Sequence, residues 1–263
     1  MIRVGVTGAL GKMGSCTCNA ITDSTETELV YSISEESSDG ILGSIQEVDP
    51  SKIDVIVDFT HYNSSKENIE WCIDNGVPIV VGTTGFSTED LESYKKADSL
   101  VAIIPNFAIG AVLMMEFAKQ SAKYFSTCEV IEYHHNYKKD APSGTAKLTV
   151  TKILEGSTQW DQDPTEELDT SKSTPRGSDY KGVNVHSVRM NGMLAHQEVI
   201  FGDVGQTLTI KHDSYDRESF MPGVLLSVKK VIELSNKQEK GLILGLDAFF
   251  LTLLLVATCD EVF

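Results

Sequence analysis

Basic residues are scarce in this sequence. Lysine and arginine number 22 against 38 aspartates and glutamates, a formal net charge of −16 over 263 residues. A surface so acidic repels the phosphates of nucleic acid and of anionic membranes, which argues against both as partners. Long hydrophobic runs are also missing. The longest uncharged stretch, Ser99 to Met115, is broken by Pro105 and Asn106; the apolar tail after Gly241 is interrupted by Asp247, leaving twelve uncharged residues from Ala248 to Cys259. Neither reaches the roughly 18–20 apolar residues that span a bilayer. Cysteine is sparse: five residues at scattered positions are an odd number, which argues against a disulfide framework and fits a reducing cytosol. The amino terminus, Met1-Ile2-Arg3-Val4-Gly5-Val6, enters an apolar strand pattern without the basic segment and apolar core of a secretory signal. The reading is of a soluble, cytoplasmic chain.

What is present is a rhythm. Apolar, β-rich runs at Ile2–Thr7, Leu29–Ile33, Ile53–Phe59, Pro78–Gly82 and Leu100–Ile104 alternate with stretches of helical length at Gly11–Asp23, Ser64–Gly76 and Ser87–Ser99. Strand, helix, strand at this spacing predicts a parallel sheet covered by helices. A helix over Ala108–Tyr124 follows, and the pattern then changes to strands at Glu129–His134, Val183–Met190, Ala195–Phe201 and Thr207–His212, with turn signals at Asn191-Gly192 and Gly202-Asp203. A helix over Ser143–Glu155 and a long exposed loop over Gly156–Gly182 separate the first two of these strands. Helical sequence returns after Asp216, through Leu234.

The first strand runs into Gly8-Ala9-Leu10-Gly11-Lys12-Met13-Gly14. Glycines so spaced let backbone N–H groups approach a pyrophosphate, and the helix that follows turns its positive end to that anion. Glu35, after the second strand, stands where an acid accepts the ribose hydroxyls of an adenosine, with Glu36 beside it. Two later loops, Asp58-Phe59-Thr60 after the third strand and Gly82-Thr83-Thr84-Gly85-Phe86 after the fourth, sit at strand ends where a dinucleotide passes close to backbone, and Ile104-Pro105-Asn106-Phe107 ends the fifth strand where it can contact the nicotinamide. Taken alone, either loop also reads as an ordinary turn, and Ile104–Phe107 as a hinge into the second domain.

The most informative stretch is Glu132-Tyr133-His134-His135-Asn136-Tyr137-Lys138-Lys139-Asp140-Ala141-Pro142-Ser143-Gly144-Thr145-Ala146. Two histidines and two lysines within six residues stand out in an acidic chain. They read as a solvated basic turn, as metal ligands or as an anion pocket. Neighbouring strand residues point to opposite faces, so His134 and His135 do not easily share a metal, and no metal site is expected. Pro142 stops the strand, and Ser143, Gly144 and Thr145 open a helix whose free N–H groups suit a carboxylate. Lys138 and a protonatable histidine supply countercharge, which makes a small dicarboxylate the expected substrate.

These segments, in this order, resemble the 4-hydroxy-tetrahydrodipicolinate reductase (dihydrodipicolinate reductase) family over residues 1 to about 247. The resemblance implies His134 as catalytic acid or base, Lys138 as proton donor and substrate anchor, and His135, Gly144 and Thr145 as substrate contacts. It implies Gly8, Ala9, Leu10, Gly11, Lys12, Met13, Gly82, Thr83, Thr84 and Ile104 to Phe107 as cofactor contacts, and a homotetramer built through the second domain's sheets. The fold expected is α/β: a Rossmann-type dinucleotide-binding domain (1–106 and 217–263) plus an α+β substrate and oligomerisation domain (107–216) with a mixed β-sheet. NADH is the favoured cofactor, with NADPH also accepted, because Glu35-Glu36 stands where many members place an arginine, and His61-Tyr62-Asn63 lacks the arginine some carry. The tail beyond about Leu251 exceeds the family's usual end. Two other readings are open: another dehydrogenase acting on an amino-acid precursor, and a non-catalytic dinucleotide sensor.

Overall fold

Strand β3 (Val55–Asp58) is buried at every position, as a strand covered on both faces must be. It lies inside a parallel sheet of six strands in the order β11-β5-β4-β3-β1-β2. The others are β1 (Ile2–Thr7), β2 (Thr27–Ile33), β4 (Ile79–Val81), β5 (Leu100–Ile103) and β11 (Gly241–Leu244). The computed structural model describes residues 1–36, 40–161 and 176–250. Helices α1 (Lys12–Asp23) and α6 (Met221–Asn236) pack on one another, and α6 also lies against β3, β4 and β5; α2 (Tyr62–Asp74) and α3 (Thr88–Tyr94) pack against β3, β4 and β11. The order reverses between β1 and β3, and beyond the carboxyl ends of strands at such a reversal a ligand crevice opens. This unit comprises Met1–Ile109 and the described residues from Arg217 on.

The second unit, Gly110–Asp216, is built on a mixed sheet in the order β10-β9-β6-β8-β7. Its strands are β6 (Thr127–His134), β7 (Ser178–Tyr180), β8 (Val183–Arg189), β9 (Ala195–Asp203) and β10 (Gln206–Ser214). β6 and β8 run parallel and the other pairs antiparallel. α5 (Gly144–Gly156) packs on β6, and α4 (Ile109–Ala122) comes close enough to it that Gly156 lies against the Lys119 carbonyl. No helix among the described residues is long and apolar enough to cross a membrane.

Several expectations need correction. The first join between the units falls at 109/110 rather than 106/107, because Phe107 and Ala108 are buried in the first unit and Phe107 packs its ring 5.4 Å from Phe59. The turn at Asn191-Gly192 forms where the sequence signals it, but it joins strands that do not pair: β8 and β9 flank β6. The hairpin turn is Val204-Gly205, between Asp203 and Gln206, two residues beyond Gly202-Asp203. α3 stops at Tyr94, five residues short of Ser99, since the next residues tighten into i→i+3 turns that lead into β5. Ser178–Tyr180 is an edge strand inside the expected Gly156–Gly182 loop; residues 162–175 of that loop, and the tail 251–263, lie outside the described residues.

Candidate active site

A cleft of about 710 Å³ opens in the first unit between the ends of β1, β2, β3 and β4. Gly8 turns here with φ of +74°, and a Cβ on it would lie 2.6 Å from the Phe59 carbonyl oxygen. Gly14 needs its missing side chain as much: a Cβ there would sit 2.0 Å from the Gly8 oxygen, so the helix starts tight against the loop. The N-cap of α1 is Gly11, and its first turn carries no side-chain cap and no acid. The first N–H groups of α1 therefore face the cleft as an anion site. Gly8, Leu10, Gly11, Lys12, Met13, Glu35, Gly82 and Thr83 all line the cleft, with Glu36 beside Glu35. Ala9 is buried beneath it with its N–H on the Ile33 carbonyl. Thr84 is exposed and off the wall. Ile104, Pro105, Asn106 and Phe107 also lie off the wall, on the end of β5 next to β4, with Ile104 donating to the Val81 carbonyl and Asn106 Oδ1 accepting from the Ala108 N–H.

One buried carboxylate ties these loops together. Asp58 Oδ1 accepts from Thr7 Oγ1 at 2.7 Å, Thr60 Oγ1 at 2.7 Å and Asn68 Nδ2 at 2.8 Å, and Oδ2 lies 3.0 Å from Thr83 Oγ1. Four elements around the cleft thus meet on one side chain. The next loop is held from outside: Asp90 caps α3 through Ser87 and takes Tyr62 and Lys66 of α2. Those bonds, Lys66 first and Tyr62 second, hold the Asp90 carboxyl well below its ordinary range. The sequence reading passed over Gly43, Ser44, Ile45, Gln46, Ser64 and Glu67, which also line the cleft. Gly43 to Gln46 reach the cleft through the way the chain after β2 folds back, and Ser64 and Glu67 through the face that α2 turns to it; no local pattern signals either.

In the second unit the focus is Glu132, which has no exposed surface. Residues two apart on a strand share a face, so Glu132 and His134 of β6 point the same way, and Arg189 of β8 is in register with His134. Glu132 Oε2 meets His134 Nδ1 and accepts from Arg189 Nη1 at 2.9 Å; Oε1 accepts from Arg189 Nη2 at 2.8 Å and from the Ser143 N–H at 3.2 Å. Arg189 Nη2 also reaches the Asp140 carbonyl at 2.7 Å, and Lys138 pairs with the Asp140 carboxylate at 2.8 Å. Ser143 caps α5 by accepting from the Ala146 N–H at 3.1 Å. Among the described residues no acceptor meets the Gly144 or Thr145 N–H, so these are the free donors of the helix start.

The structure thus brings His134, Ser143, Gly144 and Thr145 together, with the Lys138 loop fastened to the same guanidinium. His135 is exposed beyond the strand end, its ring 6.5 Å from that of Tyr137. The sequence places Glu132 at the head of the informative stretch without assigning it a role, and it does not single out Arg189. The Glu-x-His spacing on a strand was the available signal for Glu132, while Arg189 needs the β6–β8 register.

Residues 2–107 match the family model for the dihydrodipicolinate reductase N-terminus, and residues 110–250 match that for its C-terminus. The chain belongs to the dihydrodipicolinate reductase family. Curated relatives called 4-hydroxy-tetrahydrodipicolinate reductase include one from Mycolicibacterium smegmatis, 46% identical over 94% of this chain and 98% of that protein, and one from Corynebacterium diphtheriae, 46% identical with the same coverage. The solved structure of a dipicolinate-bound dihydrodipicolinate reductase from Paenisporosarcina sp. TG-14 superposes with a TM-score of 0.84 at 36% identity, covering 94% of this chain and 98% of that one. Aspartate semialdehyde dehydrogenase II from Vibrio cholerae, at 12% identity and a TM-score of 0.54, shares the fold. The chain is therefore an oxidoreductase with a Rossmann-like unit and a mixed-sheet unit.

Burial alone would raise the pKa of Glu132; hydrogen bonds from His134 and then Arg189 outweigh it and bring it from the ordinary 4.5 down to about 2. A carboxyl whose folded pKa lies below its unfolded one stabilises the fold above the unfolded value and stops doing so as pH falls through the folded one. Stability is thus expected to decline between pH 4.5 and about 2, and Glu132→Gln should remove a share of that slope whatever its stability at neutral pH. Urea unfolding at a series of acid pH values measures this, and an unchanged slope in the variant contradicts it.

Proposed function

We propose that the chain catalyses the NAD(P)H-dependent reduction of 4-hydroxy-tetrahydrodipicolinate to tetrahydrodipicolinate, the step of the diaminopimelate route to lysine, as a cytoplasmic homotetramer. The observation that carries this reading is the gathering of His134, the Lys138 loop and the open start of α5 around Glu132. Family membership supports it, as does the dipicolinate, a ring dicarboxylate, bound to the Paenisporosarcina relative. The glycine cradle and the uncapped start of α1 fit the pyrophosphate of a dinucleotide.

The bound nicotinamide supplies a hydride. The balance consumes that hydride and one proton and releases water. Lys138, His135 and the free N–H groups of Gly144 and Thr145 hold the substrate carboxylates, charge against charge and donor against oxygen. His134 and Lys138 are the groups in the second unit that can deliver the proton. Ser143 fixes the helix start from which two of those donors project. Tetramer assembly has a surface to use: Glu129, Ile131 and Tyr133 lie on the face of β6 turned away from buried Val130 and Glu132, and each is only partly buried. A half-buried face of this kind on a mixed sheet is available for a second copy to cover.

A coupled assay that makes the substrate from pyruvate and aspartate semialdehyde with the preceding synthase, read as loss of nicotinamide absorbance, tests the activity. Turnover is expected in the wild type, and Lys138→Ala should cut it by roughly two to four powers of ten. No turnover, or a Lys138→Ala variant at near wild-type rate, overturns the reading.

Cofactor choice follows from charge. Glu35, Glu36 and Glu67 line the cleft, with Lys12 and His61 the basic side chains among its lining residues; Glu35 accepts from Ser64 Oγ at 3.2 Å. Carboxylates placed to receive ribose hydroxyls repel a 2′-phosphate, and an exposed lysine offsets that by about 1 kcal/mol or less. Both cofactors should work, with NADH favoured severalfold in kcat/KM at low salt, and Glu36→Arg should narrow or invert the ratio. Steady-state kinetics with each cofactor decides this; a tenfold wild-type preference for NADPH contradicts it.

A further inference from the structure

We propose that Glu132 is the positioning residue of this site: it holds His134 with a proton on Nδ1, so that Nε2 is the nitrogen that exchanges a proton with the substrate, and Arg189 fixes Glu132 in that task. The proposal rests on His134 being the site's acid–base group. An ionised carboxylate only accepts hydrogen bonds. The ring nitrogen facing Glu132 must therefore carry the proton, since a bare Nδ1 would set its lone pair against the carboxylate. Which nitrogen of a histidine is protonated is decided by the bond the other one makes.

Arg189 makes this assignment firm. Its two-pronged bond, at 2.8 and 2.9 Å, uses both carboxylate oxygens of Glu132 and prevents the side chain from rotating away from His134. It also keeps a negative charge tolerable at a position without solvent. The Ser143 N–H adds a third donor to Oε1. With Arg189 and Ser143 supplying these donors, Glu132 turns an accepting oxygen to the histidine.

Another histidine–carboxylate pair in the same unit shows what is particular here. His196 Nδ1 bonds Asp213 at 2.8 Å, but its Nε2 faces the Leu194 N–H at 3.4 Å, so both ring nitrogens are engaged. Among the described residues Asp213 meets His196 and Lys211, and no guanidinium braces it. His134 Nε2 meets no partner among the described residues. Of the two rings, only that of His134 combines a fixed Nδ1 with a free Nε2. The same arginine ties down the Asp140 carbonyl beside Lys138, so one brace sets the ring and the lysine loop.

The test is a double-mutant cycle on kcat with the coupled assay, alongside NADH binding and urea unfolding of every variant. Glu132→Gln offers an amide that donates to Nδ1 and so moves the ring proton to Nε2. It should lower kcat roughly 100-fold with substrate KM and NADH affinity within about threefold. Adding it to His134→Gln should cost no more than about threefold beyond His134→Gln alone, because a residue that acts through another has nothing left to act on. Glu132→Asp, which keeps the charge, should recover at least tenfold over Glu132→Gln; if the glutamine variant does not fold, Glu132→Asp carries the same cycle. A Glu132→Gln kcat within threefold of wild type, or losses that multiply in the double variant, overturns the proposal while leaving the reductase reading intact. A His134→Gln variant with wild-type kcat overturns the assignment of His134 itself, and the proposal with it.

Discussion

Glu132 carries its charge at a place water does not reach, and the second unit is organised around making that tolerable. An unpaired buried carboxylate is costly, and removing one partner from a buried pair typically costs about 3–5 kcal/mol. The chain meets the cost with a guanidinium from the parallel neighbour β8, an imidazole from two residues along β6 and a backbone N–H from the start of α5. Each of these partners also belongs to the candidate site. The same bonds that satisfy the charge thereby fix a ring, a helix start and, through the Asp140 carbonyl, the lysine-bearing loop. Stability and preorganisation are here one set of contacts.

The first unit solves a related problem with neutral groups. Asp58 closes β3, buried behind the cleft wall, and takes hydroxyls from three threonines and the amide of Asn68. Among the described residues no cation hydrogen-bonds to it. The result is a cleft whose loops share an anchor while its walls offer glycine backbone, helix N–H groups and carboxylates. Such walls suit a pyrophosphate at one end and ribose hydroxyls at the other. Charge complementarity is thus divided: acids line the dinucleotide cleft, and the histidines and lysine that suit a dicarboxylate gather in the second unit.

Much of this is legible in the sequence. β1 spans Ile2–Thr7 as its apolar run predicts, and the glycine loop turns where its spacing requires. Ser143 caps α5 as read from the sequence around Pro142. What was hidden depends on pairing. β11 is four residues of an apolar tail, and only its place beside β5 makes it a strand. Asn191-Gly192 forms its turn but joins strands separated by β6, a crossover that the local turn signal does not reveal. Glu132 reads as one acid among 38 until its spacing from His134 is set on a strand. Arg189 acquires its meaning from a partner 57 residues away, and the place of Asp58 in a crevice loop is legible while its role as anchor comes from partners 2 to 51 residues away.

The central claim, that a fixed carboxylate sets the protonation of the site's histidine, is open to direct observation. Nitrogen-15 NMR of the His134 ring, with the protein titrated until that ring holds a single proton, reports which nitrogen carries it. The account predicts a protonated Nδ1 and a bare Nε2. A proton on Nε2 with a bare Nδ1 would contradict it, because Glu132 would then have to be the donor of that bond.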